Sequence, residues 1–123
     1  MKSRDNFVRT KRFELDEKAR RVAELQYMIR DFEQLADDLD RQIAAEEDRT
    51  GVKDMGHFAY STFAKAAMQR RDNLMSSAAE LRAKLESAEK DHDEARAQLA
   101  RYDNEESSLA GVHSAPAETL SIR

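Results

Sequence analysis

The chain has 123 residues, 37% of them charged and 40% hydrophobic, with a net charge of −4 and no cysteine. That length holds one domain; so charged a composition excludes a large globular core, and the missing thiols exclude disulfides and thiolate metal sites. No apolar run approaches the ~18 residues of a membrane-spanning helix, and the charged start lacks the apolar segment of a signal peptide, so a cytoplasmic protein is expected.

Gly51, Gly56, Gly111 and Pro116 are the whole inventory of the two strongest chain breakers. Their scarcity predicts long uninterrupted helices, the class to which Ala/Glu/Lys/Leu/Arg-rich chains belong. The first helix is expected from about residue 4 to 48. Val8, Leu15, Val22, Ile29, Ala36 and Ile43 recur every seven residues, with Lys11, Lys18, Leu25, Phe32, Leu39 and Glu46 as a second row three positions on. Two such rows are the seam of a coiled coil. Phe7, Phe13, Tyr27 and Met28 fall outside it, with Phe13, Arg20 and Tyr27 on one outer face.

Residues 49–57, RTGVKDMGH, break the pattern and read as a turn. A second helix is expected from about 57 to 105. Its rows are Tyr60, Ala67, Leu74, Leu81, Ala88, Ala95 and Tyr102, and Ala64, Arg71, Ala78, Leu85, His92 and Leu99. Phe63, Met68 and Met75 flank this seam, either widening the core or meeting a partner, while Phe58 covers the turn or meets a partner. Residues 107–123, SSLAGVHSAPAETLSIR, have no helical period and read as a flexible tail.

The fold class expected is all-α, two long helices forming an antiparallel coiled-coil hairpin. Charge selects that orientation. Residues 1–21, 22–50, 51–75 and 76–106 carry balances of +4, −6, +2 and −4, so folding back sets each basic block against an acidic one. A parallel homodimer sets like blocks side by side. Each exposed pair contributes only a fraction of a kcal/mol, which decides direction more than stability. The seam thins toward the chain ends, where Lys11 and Lys18 sit opposite Ala95 and Ala88. Their stems are expected to cross alanine and send ammonium groups toward Glu89, Asp93 or Glu94. The Arg70–Arg71 pair is expected against Glu33, Asp37 and Asp40.

Little here points to chemistry. Asp91, His92, Asp93 and Glu94 point in different directions on a helix, and His92 lacks a ligand-type residue four positions away; it reads as a seam residue near Leu15. No nucleophile elbow, phosphate loop or HExxH occurs. No enzyme, cofactor or metal site is expected. The basic first 21 residues are answered by acidic neighbours across the hairpin, which argues against nucleic acid. The positive signal is aromatic, Met and Arg side chains outside the seam, the types enriched in protein interfaces.

The basic, aromatic-bearing start FVRTKRFELDEKARRVAEL, the glycine turn and the phrase FAYSTFAKAAMQRRDNL after it resemble the flagellar export protein FliJ family, in its alphaproteobacterial-type members, over residues 1 to about 106. The resemblance implies a non-catalytic stalk of the flagellar type III export apparatus. Such a stalk sits in the hexameric export ATPase at the cytoplasmic face of the basal body, promotes ring assembly, links the ring to the cytoplasmic domain of the export gate, and in some members handles export chaperones. On that reading Phe13, Arg20 and Tyr27 meet the ATPase, while Phe58, Phe63, Met68 and Met75 meet the gate or another partner. An injectisome-type stalk and a coiled-coil scaffold with no ATPase link are the alternatives.

Overall fold

The computed structural model describes the backbone of residues 2–122 and the side chains of residues 3–106. Two helices, α1 (Lys2–Thr50) and α2 (Thr62–Ile122), pack against each other, with no strand among the described residues. The backbone of α2 continues to Ile122 rather than ending near residue 105, so residues 107–122, expected as a tail without helical period, are helical; their side chains lie outside the described residues.

The end of α1 is set by Gly51. Its φ of +74° is left-handed, and its N–H reaches the Glu47 carbonyl at 2.9 Å, the single 5→1 bond of a left-handed helix cap. An added Cβ would meet nothing within 4 Å, so glycine is needed for backbone freedom rather than for space.

The second helix begins at Thr62, not near residue 57 as the periodicity suggests. The backbone of the preceding stretch is used in successive turns. The Asp54 carboxylate accepts the Gly56 N–H at 2.9 Å, and the Asp54 and His57 carbonyls accept the N–H groups of His57 and Tyr60 at 3.1 and 3.0 Å. His57 Nδ1 accepts the Ala59 N–H at 2.9 Å. Ser61 then caps α2. Its Oγ accepts the Ala64 N–H at 3.2 Å and its carbonyl the Lys65 N–H at 3.1 Å, the reason serine favours this position.

The chain divides into two compact units, Arg21–Ser87 and Met1–Arg20 with Ala88–Arg123. In Arg21–Ser87, α1 contributes Leu25, Ile29, Ala36 and Ile43 to the buried core, and the rest of the unit contributes Tyr60, Ala64, Ala67, Ala78 and Leu81. Branched side chains on α1 thus meet mainly alanines on α2, which lets two helices approach closely over a one-residue-wide core. Next to the connection, Ile43, Tyr60, Ala64 and Ala67 form a cluster onto which Leu39, Val52 and Met68 pack.

In the other unit no described residue is fully buried. Val8, Lys11, Leu15, Lys18, Ala88, His92, Ala95, Leu99 and Tyr102 are half-buried. Both seam rows are therefore buried or half-buried at every position named above, and the seam positions held by lysine lie in this thinner unit. The expected reach of Lys11 across to α2 is not made. Its Nζ lies 3.4 Å from Glu14 on its own helix and 5.6 Å from the centre of the Phe7 ring, because a carboxylate one turn away costs the side chain less extension.

Candidate functional site

The connection and the first turns of α2 gather four of the residues picked out from sequence, all within Arg21–Ser87, and expose them unequally. Phe58 is 95% exposed, its ring stacked 4.6 Å from that of His57, so it does not cover the turn. Phe63 is 55% exposed and Met75 45%. Met68 differs: it packs against the Ile43–Tyr60–Ala64–Ala67 cluster and belongs mainly to the core. Met55, which the sequence reading passed over, is exposed beside this group. Its signal was an apolar side chain inside a nine-residue turn.

Beneath these side chains lies a polar clasp. The Tyr60 hydroxyl donates to the Glu47 carboxylate at 2.8 Å, and Ser61 Oγ, which also serves the helix cap, donates to Glu46 at 2.9 Å. Arg49 Nε holds the same Glu46 carboxylate at 3.1 Å. The Arg49 guanidinium, and secondarily the Ser61 hydroxyl, lower the pKa of Glu46. Burial, reinforced by the Glu47 carboxylate, raises that of Tyr60. One apolar face and one hydroxyl thus tie Tyr60 to both core and clasp.

Further along α2, Arg71 meets Asp40 at 2.8 Å as expected. Glu33 is taken instead by Arg82 at 3.0 Å. Among the described residues Arg70 pairs with none of Glu33, Asp37 and Asp40, and it lines a groove with Leu35, Asp38, Leu39, Gln42, Asn73 and Leu74. Leu35 is 44% exposed and was not singled out from sequence, although it lies one heptad after Met28.

The α1 candidates stand in different units. Phe13 is 62% exposed in the unit of the chain ends; Arg20, in that same unit, is drawn to Glu17 on its own helix at 2.6 Å. Tyr27 is 70% exposed in Arg21–Ser87. Phe7 is less free than its outward position suggests. Its ring lies 5.0 Å from that of Tyr102, whose hydroxyl accepts a hydrogen bond from Arg4 Nε at 2.7 Å while the Arg4 guanidinium sits over the ring. Heptad spacing puts Tyr102 in the seam and Phe7 outside it, so this aromatic–cation stack has no signal in the sequence.

His92 is half-buried, with Nδ1 3.7 Å from Asp93. Among the described residues no three metal-binding side chains converge, and no helix is long and apolar enough to cross a membrane. What the arrangement offers is surface: single aromatic and thioether side chains standing out of a charged exterior. Comparison with protein-family models, with characterised proteins and with solved structures finds no match.

Proposed function

We propose that the chain is a non-catalytic stalk or adaptor of the flagellar type III protein export apparatus, binding and modulating the export ATPase ring and linking it to the export gate. On this reading α1 and α2 form an antiparallel coiled-coil hairpin. Contacts within Arg21–Ser87 support that direction: Glu47 meets Tyr60, Asp40 meets Arg71 and Glu33 meets Arg82, one number falling as the other rises. A seam of only two rows leaves the other faces of both helices for partners.

The observation that carries the reading is the exposure of Phe13, Tyr27 and Phe58, aromatic side chains for which the partner helix offers no cover. Scattered exposed apolar residues are ordinary, but an almost bare Phe in a chain this charged costs solubility with no gain in folding. The resemblance supplies the identity of the partners. Phe13 and Arg20 in one unit, and Tyr27 in the other, each contact the ATPase. Phe58, Phe63 and Met75 contact the gate, while Met68 supports the surface from below. The site of action is then the cytoplasmic face of the basal body, reached through protein contacts.

Binding of the full chain to the isolated ATPase hexamer and to the gate's cytoplasmic domain, measured by interferometry, tests this. Phe13→Ala and Tyr27→Ala should each weaken ATPase binding about tenfold or more and leave gate binding intact; Phe58→Ala should do the reverse. Circular dichroism should find all three as helical as the parent. Wild-type binding by every variant, or loss of helix in step with loss of binding, would overturn the assignment.

A further inference from the structure

We propose that two copies of this chain pair side by side through the groove between α1 and α2 of Arg21–Ser87, making a four-helix bundle. Leu35, Leu39 and Leu74 give that groove its apolar lining, Leu39 and Leu74 half-buried and Leu35 exposed, while Asp38 lines it from the α1 rim and Arg70 from the α2 rim. Met28, 39% exposed, continues the apolar line one heptad before Leu35. Leu39 and Leu74 belong to the seam, but neither the clasp nor the seam uses Met28, Leu35, Asp38 or Arg70.

The occupant is read from the charges. Arg70 makes no ion pair among the described residues, and Asp38 is bridged only by Arg41, three residues along its own helix, a pairing that contributes a few tenths of a kcal/mol. An acid on the α1 rim and a base on the α2 rim make the face complementary to itself. A two-fold axis running along the groove sets α1 of one copy against α2 of the other, so Asp38 of each copy meets Arg70 of its mate, twice. Such an isologous contact is the commonest way a protein pairs with itself.

The same axis extends the match. Fourteen residues back along α1 and fourteen on along α2 stand Glu24 and Lys84, again an acid on one rim and a base on the other. Lys84, like Arg70, has no ion-pair partner among the described residues, and Glu24 is held only by Arg21 at 3.7 Å on its own helix. If each hairpin is antiparallel, every neighbouring helix in the pair is antiparallel too, the up-and-down arrangement in which four-helix bundles pack best. A foreign helix would have to reproduce the rim charges; a second copy carries them already. The inference rests on the antiparallel pairing proposed above and not on the export role.

Sedimentation equilibrium of the full chain from about 1 to about 500 μM, the range where modest dimers dissociate, is the test. A monomer–dimer equilibrium is expected. Leu35→Glu should weaken it about 30-fold, the effect of losing one interface anchor, with helix content unchanged. Arg70→Glu should also weaken it by setting like charges across the axis, and adding Asp38→Arg to Arg70→Glu should restore it. If Leu35→Glu loses helix, the charge-swapped pair alone decides, because a merely structural role gives no such rescue. A monomer at every concentration, a dimer indifferent to Leu35→Glu, or a double variant no tighter than Arg70→Glu would overturn the proposal. ATPase stimulation by a monomeric Leu35→Glu chain reports separately on the stalk reading, so either idea can fail while the other stands.

Discussion

Leu25→Ala is the substitution to which the fold should be most sensitive. Among the described residues Leu25, 1% exposed, is the largest fully buried side chain, and it lies in the unit that holds all the buried ones. Truncation removes about three methylene equivalents, near 2.4 kcal/mol at about 0.8 each. The cavity adds to this, limited by how far two helices can close over it, which sets the expectation at about 3 kcal/mol. For a chain of this size that is a fall in Tm of about 10–15 °C. Leu15→Ala is the internal control. Leu15 is a leucine of the other seam row and only half-buried, so it should cost about 1 kcal/mol and a few degrees. Thermal unfolding followed by circular dichroism at 222 nm, with urea midpoints on the same variants, distinguishes the two. Equal losses would refute the argument that burial is concentrated in Arg21–Ser87, as would a loss under about 1 kcal/mol for Leu25→Ala.

Other consequences concern the connection and its clasp. Gly51→Ala should cost about 1 kcal/mol in urea unfolding through its positive φ alone, and Gly51→Asn distinctly less, since Asn tolerates that conformation. Ser61→Ala should cost about 1 kcal/mol by removing the α2 cap and should raise the pKa of Glu46, seen by carboxyl NMR titration. Because Glu46 is lowered in the folded chain, its contribution is present above the unfolded carboxylate pKa and lost as pH falls through the folded one; Glu46→Gln should flatten that acid limb. Tyr60 has the opposite sense. Its raised pKa gives a contribution complete below its unfolded value of about 10 and lost as pH rises through the folded value, so Tyr60→Phe should remove that part of the alkaline decline.

Much of the fold could be read before the structure because a two-helix seam has a single period. Every seam residue named from the heptads is buried or half-buried, and Lys11 and Lys18 marked the thin unit. The start of α2 was less legible. Tyr60 satisfies the heptad spacing without being helical, since it reaches the core from a turn held by Asp54 and His57. Periodicity reports which residue is inside, not what backbone carries it there. The candidate surface was legible in part. Phe13, Tyr27 and Phe58 were found because aromatic residues off the seam have few places to hide. Of the two roles open to Met68, widening the core or meeting a partner, its packing on the Ile43–Tyr60–Ala64–Ala67 cluster favours the first; Tyr60 reaches that cluster from the connection, which no helical wheel includes. Arg71 takes Asp40 and Arg82 takes Glu33, leaving Arg70 on the groove.

ATP hydrolysis by the cognate flagellar export ATPase, titrated with this chain at near-physiological salt and followed by light scattering on the same samples, tests the stalk reading most directly. Stimulated turnover that rises together with hexamer formation, and that is lost with Phe13→Ala, is the predicted result. A folded chain that changes neither turnover nor assembly at saturating concentration would contradict it.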